Sequence, residues 1–589
     1  MKKAVAILFL MWSANTFAQL YVSSGSSMYV KDQVVFVKQD IDLQNNSNIY
    51  LRNEAQLLQG TASTSTNKGL GKLSVFQEGT SDNYDYNYWC SPIGNASATT
   101  GNEGFGITMI QNPLTTTNSA VSVPTGGLDG TASPFAISSY WIYKYISSAT
   151  YADWLYVGAA SNFAAGEGFT MKGTSGTDIT SVDGVQNNIG SAQRYDFRGK
   201  PNDGNIAVSV GLDNMTLTGN PYPSALHVNA FLLDPANTAC DGIGYYWEQN
   251  KSTNSHYLVQ YQGGYGTYSP VSLASNGIYV PAFFSSYDGS GNLSTTGTSS
   301  GLVIERKYAP IGQGFMILGT SNGSVTLKNA HREYYKESGS LSQFERSSNA
   351  NLPTTVGQIN QVPHIRLNAI MNNTNTAQIA LALIPEATDG IDRGIDAKSS
   401  VATDIPNDVY FVLDNAKYVI EGTNFDIGKR IPIGVKSANN STFRFYVPEV
   451  VNFDENQQIY IFDANDSSYH NIKTGNFDIT LEAGVYNNRF EITFTDAALG
   501  IPNITDDNFA VIQDNASQML EISNPKGIEI KSCSLYDMAG KLIFTNAKLG
   551  SDDHYNFSTS GISEGIYIAK IITSNQDFGQ KISVFRNHN

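Results

Sequence analysis

The chain has 589 residues, of which 41% are hydrophobic and only 15% charged, with 53 Gly and a formal net charge of −16. That length accommodates about four domains, and the negative balance argues against nucleic-acid and anionic-membrane partners. Asn, Ser and Thr are abundant while helix-forming blocks of Ala, Glu, Lys and Leu are few, which predicts an all-β, multidomain protein with short polar turns.

Lys2 and Lys3 precede an apolar run from Ala4 to Trp12 and the small-residue site Thr16-Phe17-Ala18. This is the pattern of a secretory signal peptide over residues 1–18, cleaved after Ala18. Cleavage leaves Gln19 first and takes formal charge from −16 to −18 with the loss of two Lys. Without a Cys at that position, lipid anchoring is not expected. No other stretch reaches ~18 apolar residues, so no transmembrane helix is expected. Cys90, Cys240 and Cys533 are odd in number and far apart, and give no disulfide framework.

Residues 19–80 carry short alternating runs, among them Met28-Tyr29-Val30, Val34 to Val37, Ile49-Tyr50-Leu51 and Leu73 to Phe76, separated by Gly/Ser and Asn-Asn-Ser turns. The spacing predicts a β-solenoid or a meander, with a short solenoid preferred.

Residues 81–346 contain an internal echo. Tyr88-Trp89-Cys90-Ser91-Pro92, Tyr140-Trp141-Ile142-Tyr143 and Gly166-Glu167-Gly168-Phe169 recur in order as Leu217-Thr218-Gly219-Asn220-Pro221, Tyr246-Trp247-Glu248 and Gly312-Gln313-Gly314-Phe315. Retained strands with loops of different length predict a duplicated β domain. The block also resembles a module of large flavobacterial surface proteins, through Tyr-Trp-Cys-Ser-Pro, Gly-Asn-Pro-Tyr-Pro-Ser and Gly-Gln-Gly-Phe-Met. The resemblance implies export and surface association, with no assigned chemistry. A polar linker over 347–362 leads to residues 363–496, where seven or more strand-like runs predict a β-sandwich.

Several catalytic patterns fail on context. Gly319-Thr320-Ser321-Asn322-Gly323 fits Gly-x-Ser-x-Gly, but the flanks Phe315 to Leu318 and Ser324 to Leu327 read strand–turn–strand, whereas a nucleophile elbow needs a following helix. The Gly-x-Gly-Phe pairs lack the third Gly and the helix of a dinucleotide loop. Gly at these positions suits close passage of backbone past an aromatic, or a β-bulge. Seven scattered His provide no zinc spacing. Asp463-Ala464-Asn465-Asp466 and Asp288-Gly289-Ser290-Gly291-Asn292 resemble pieces of calcium loops without the distal Glu, so turns are favoured and calcium is the single cofactor candidate. No catalytic, cofactor-binding or metal-ligating residue is assigned.

Aromatic clusters are the remaining candidates: Tyr84, Tyr86, Tyr88 and Trp89; Tyr140, Trp141, Tyr143 and Tyr145; Tyr257, Tyr261, Tyr265 and Tyr268. Sheet-face packing competes with a glycan-binding face. The last cluster, beside Gly263-Gly264, reads as the most loop-like and supplies the candidate ligand-facing residues.

Residues 506–589 read as short strands with turns at Asn524-Pro525-Lys526-Gly527 and Met538-Ala539-Gly540-Lys541, enough for a small Ig-like β-sandwich. Tyr536-Asp537-x-x-Gly540-Lys541, Gly565-Ile566-Tyr567 and the terminal strand with Gln580-Lys581 resemble the C-terminal sorting domain of the Bacteroidetes type IX secretion system, nearest its type A pattern. The resemblance implies an outer-membrane translocon and a barrel-type shuttle as partners, a secreted or cell-surface destination, and removal of the domain near Asp506-Asp507. Two functions stay open for the cargo: a non-catalytic adhesion or glycan-binding protein, and a secreted polysaccharide hydrolase whose carboxylate pair the sequence does not reveal.

Overall fold

The computed structural model describes residues 19–60, 62–299, 301–344, 361–399, 405–496, 510–537, 540–573 and 577–586. The signal peptide with its Ala18 cleavage site, and most of the linkers at 347–362 and 497–507, lie outside the described residues. Half of the protein is strand and 4% helix. Two compact units divide it, residues 1–361 with Arg393–Ile405, and Val362–Asp392 with 406–589.

The first unit starts as a coil of parallel strands. Leu20–Val22 pairs with Ile41–Leu43, Ser27–Lys31 with Asn48–Arg52 and then Lys72–Glu78, and Val34–Val37 with Gln56–Gln59. Alternation turns Val30, Val37, Ile41, Leu43, Ile49, Leu51, Leu57 and Leu73 inward, where all are buried. Lys72–Glu78 is parallel to Asn48–Arg52 and antiparallel to Arg194–Pro201, so one sheet runs from the coil into the next block. The same hydrophobic core holds Val22 and Leu57 together with Trp89, Phe169 and Phe344. The fold therefore has no break at residue 80.

The echo in the sequence corresponds to two equivalent strand pairs. Tyr86–Cys90 runs antiparallel to Gly168–Lys172 with Gly168 opposite Cys90, and Met215–Gly219 runs antiparallel to Gly314–Leu318 with Gly314 opposite Gly219. The pairs lean on each other through their glycines. A Cβ on Gly168 would stand 2.7 Å from the Leu217 side chain, and one on Gly314 would stand 2.7 Å from the Trp89 nitrogen. Only residues without a side chain permit this approach.

Arg393–Ile405 belongs to the first unit although the residues on both sides of it belong to the second. Arg393 fixes this strap by donating from Nε to the Cys240 carbonyl at 2.9 Å, and from Nη2 to the carbonyls of Leu232 at 2.6 Å and Asn237 at 2.7 Å. Gly394 donates to the Asp241 carbonyl and accepts from the Val271 N–H.

In the second unit, ten strands between His364 and Thr493 form one sheet, from Ser468–Asn471 at one edge to Phe477–Leu481 at the other. It folds over until His470 stacks on Phe477 with centroids 3.8 Å apart, enclosing Phe443, Phe445 and Phe490. After residue 509, Ala510–Asp514, Met519–Ser523 and His554–Ser558 make one sheet, and Leu542–Gly550, Ile530–Asp537, Gly565–Thr573 and Asp577–Val584 make a second. The two close as an Ig-like sandwich over Leu520, Ile522, Leu535, Ala569, Ile571 and Ile582.

Candidate functional site: a tyrosine patch

Members of the three aromatic clusters, from Tyr86 to Tyr261 in the sequence, converge on one end of the Tyr86–Cys90/Gly168–Lys172 strand pair, while Trp89 and Tyr268 lie in hydrophobic cores. Beneath the surface, Tyr88, Trp247 and Tyr261 form a stack, with Trp247 5.7 Å from Tyr88 at 7° and 6.1 Å from Tyr261 at 12°. Gln249 pins it: its Oε1 accepts from the Trp247 Nε1 at 2.9 Å, the Tyr86 N–H at 3.1 Å and the Tyr261 hydroxyl.

Lys172 lies opposite Tyr86 in the strand register and is buried. Its ammonium stands over the rings of Trp141, Tyr86 and Tyr261, and donates to His256 Nδ1 at 3.2 Å. His256 Nε2 donates in turn to Asp129 Oδ1 at 2.9 Å, so the two bonds together select the Nε2–H tautomer. Burial pulls Lys172 down to about 8 against the opposing charges of Asp85, Asp82 and Asp129. Burial, then the Asp82 charge, pushes Asp85 up to about 7.

Above this base lie phenols of a different kind. Tyr140, Tyr151 and Tyr156 are 46%, 43% and 60% exposed. Tyr143 and Tyr156 face each other across a two-residue strand pair with centroids 5.3 Å apart, and Tyr151 stacks on Tyr287 at 5.7 Å and 17°. Burial, then the phenols of Tyr151, Tyr143 and Tyr140, raises Tyr86 well above its ordinary value. Burial, then Tyr143 and Tyr287, pushes Tyr151 up to about 12. The groups are thus close neighbours. Among the described residues, the hydroxyls of Tyr86, Tyr140, Tyr143 and Tyr151 take no hydrogen bond. Deeper in the protein, Tyr145 donates to the Thr150 carbonyl and Tyr222 to that of Gly204, whereas the buried Tyr246 hydroxyl has no partner among the described residues.

Of the four candidate ligand-facing residues, only Tyr257 stands in solvent, at 74% exposure. Tyr268 is a core residue, 1% exposed, donating to Asn229 Oδ1 at 2.6 Å. Tyr261 is buried in the stack, and the half-buried Tyr265 shares a hydrogen bond with Tyr88. Tyr265 and Tyr268 lie on strand Gly263–Ser269, an internal strand of its sheet rather than a loop, and Tyr261 closes the short turn Leu258–Gln260 before it. The exposed phenols come from the Tyr140 and Tyr151 segments instead. Nothing in the sequence distinguishes Lys172 or His256 as partners of this cluster.

The acidic turns are closed by their own donors. Asp288 accepts from the N–H groups of Ser290 and Asn292 and from the Asn292 amide. Asp463 accepts both arms of Arg489 at 2.8 Å and the Asn465 N–H, and Asp466 accepts from Ser468. A cation would have to displace these donors. Among the described residues, no group of three His, Cys, Asp or Glu could hold a metal ion. Gly319 to Gly323 links strand Gly314–Leu318 to strand Gly323–Leu327 of a different sheet, so Ser321 sits in a turn between strands with no helix after it.

The sorting-motif residues fall into two groups. Asp537 accepts the Gly540 N–H on its carbonyl at 3.0 Å and the Lys541 N–H on Oδ1 at 2.9 Å, and Gly540 has φ +76°. Asp537-x-x-Gly540-Lys541 is therefore a hairpin turn that needs Gly at its left-handed position. Tyr567 is buried and donates to the Ser563 carbonyl at 2.8 Å, a tyrosine corner. Tyr536 and Gly565 are half-buried, whereas Lys541, Ile566 and Lys581 are exposed.

Residues 10–494 match the family model described as a domain of unknown function (DUF8693), and residues 515–584 match that of a secretion system C-terminal sorting domain. No curated protein matches the chain. Among solved structures, a biofilm-associated protein's BSP domain is similar at 8% identity and TM-score 0.12, covering 76% of this chain and 88% of that one. The extracellular domain of a one-component system from B. thetaiotaomicron is similar at 10% identity and TM-score 0.11, covering 64% of this chain and 61% of that one. Likenesses this shallow carry no inference about ligand or activity.

Proposed function

The chain belongs to the DUF8693 family and ends in a sorting domain that marks it as a secreted or cell-surface cargo of type IX secretion, and from this premise we propose that it is a non-catalytic adhesion protein binding glycan through the tyrosine patch. The observation that carries the proposal is the contrast between phenols. Tyr145, Tyr222 and Tyr268 spend their hydroxyls on the protein, while those of Tyr86, Tyr140, Tyr143 and Tyr151 remain open, beside the exposed ring faces of Tyr140, Tyr151 and Tyr156. Ring faces stack on sugars and open hydroxyls exchange hydrogen bonds with theirs. The formal charge of −16 favours uncharged glycans over polyanionic ones. Passage through an outer-membrane translocon and a shuttle barrel belongs to the same proposal.

The test incubates the full chain from residue 19 with a panel of polysaccharides and records both pull-down and new reducing ends. Binding without new ends is the expected result. New reducing ends would favour a polysaccharide hydrolase instead. No binding to any uncharged glycan would overturn the assignment of the patch.

A further inference from the structure

Seven strands and a short hydrophobic core would suffice for the sorting sandwich, yet its outer surface is not that of an ordinary solvated sheet. In the four-stranded sheet, Leu542, Tyr536, Ile568 and Lys581 stand opposite one another in four successive strands and so form one cross-strand row. Their sequence neighbours Leu535, Tyr567, Ala569 and Ile582 face the core, so alternation directs this row outward. Ile566 lies two residues from Ile568, on the same face. Leu542 and Ile566 are 46% and 40% exposed.

A solvated antiparallel face normally carries polar residues at these positions. Here the row is apolar for three strands and ends in Lys581. The next row holds Thr545, Ser534, Lys570 and Gly579, and Lys541 borders the first row at the hairpin. Neither row contains a carboxylate. The local balance differs from that of the whole protein: residues 510–589 have seven Lys and Arg against eight Asp and Glu, whereas the chain has 36 against 52.

Resting on the reading of this domain as a secretion address, we infer that the machinery recognises the outer face built by Tyr536, Leu542, Ile566, Ile568 and Lys581, and that its docking surface is apolar with an acidic border. Asp537, Gly540 and Tyr567 act on recognition only through the fold. The turn needs the first two and the tyrosine corner the third, so none is left to address a partner. The occupant is a protein of the secretion machinery rather than glycan or a second copy, since lysines flanking isoleucine call for carboxylates around an apolar patch.

Export of the full chain in its native host tests this, scored as the ratio of protein outside the outer membrane to precursor retained within the envelope. The double variant Ile566→Glu/Lys581→Glu should lose export at least about tenfold, the loss of roughly 1.4 kcal/mol of docking energy, with an unchanged melting temperature of the purified protein. Lys541→Glu/Lys581→Glu touches exposed charges alone, so folding is not at stake, and export should fall in the same direction. Tyr567→Phe should lower the melting temperature while leaving export of the folded protein intact. Wild-type export of either face variant would overturn the inference. Deletion of residues 510–589 separates the two levels. If the deleted protein is still exported, the secretion address itself is wrong. If it is retained while the face variants pass, only the face is wrong.

Discussion

Lys172 holds its ammonium 4.0 Å from the centre of the Trp141 ring, inside a protein that exposes only 4% of that lysine. Three rings and one imidazole take the place of water around a full charge. Cation–π contacts recover part of the hydration lost, about 2 kcal/mol in a desolvated setting, and the depressed lysine value shows that the replacement is incomplete. Tyr86 and Trp141 come from one stretch of the chain and Tyr261 from another more than 100 residues on, so the charge ties distant segments together.

The pH dependence of stability follows from this site. Lys172 takes its proton near 10.5 in the unfolded chain and near 8 in the folded one, so the unfolded state binds more protons between these values. Its contribution to stability therefore rises with pH from about 8 to 10.5. Asp85 titrates near 3.8 unfolded and near 7 folded, so its contribution is greatest below about 4 and falls as pH rises to 7. Denaturant titrations across pH should show the difference between wild type and Asp85→Asn changing chiefly in the acid window. The difference from Lys172→Met should change chiefly in the alkaline one, with ceilings of about 4 kcal/mol for Asp85 and about 3 kcal/mol for Lys172.

Tyrosines on and under the patch should respond oppositely. Tyr140→Ala and Tyr156→Ala remove exposed rings, and should leave stability within about 0.5 kcal/mol while weakening glycan binding roughly tenfold. Tyr268→Phe leaves the Asn229 carbonyl oxygen without its donor and should cost about 1–2 kcal/mol of stability with binding unchanged. Thermal melts and isothermal titration of the same samples would separate the two classes.

Gly168 and Gly314 should tolerate no side chain. With 2.7 Å between each hypothetical Cβ and its nearest atom, Gly168→Ala and Gly314→Ala must push the strand pairs apart. A loss of about 2 kcal/mol or more is expected for each. Gly126→Ala, which meets nothing within 4 Å, is the control and should change stability little.

All three thiols should be silent. Cys90, Cys240 and Cys533 are free and buried. Burial raises each of them, Cys533 to about 11, so thiolate is scarce at neutral pH. A thiol reagent should label none in the native protein and three per chain in denaturant. Labelling of one thiol in the native state would reveal local opening around it.

Much of the β architecture was legible because its causes are local. Alternation in Met28-Tyr29-Val30, or turn chemistry in Asp537 to Lys541, needs only neighbouring residues to act. The repeated Gly-x-Gly-Phe was legible as a close approach, although the sequence could not say that each glycine meets the first strand of the other copy. The patch was legible in pieces only. Tyr257 and Tyr268 lie in one run of similar composition, and what separates exposed from buried is the seat of Gly263–Ser269 inside a sheet, a long-range fact. For a related reason the sequence suggests a boundary at residue 80, where one sheet and one core continue. A strand parallel to Asn48–Arg52 and antiparallel to the distant Arg194–Pro201 looks the same in sequence as one that ends a domain. Arg393 gave no sign, since Asp392-Arg393-Gly394 reads as an ordinary polar turn.

That arginine has a consequence for a protein working among extracellular proteases. The chain leaves the first unit, returns to it with Arg393–Ile405, and leaves again. A nick between residues 345 and 360 would sever the backbone without parting its pieces, because the downstream piece still carries the strap whose guanidinium is held by three carbonyls of the upstream one. Electrophoresis would count two polypeptides where gel filtration counts one particle.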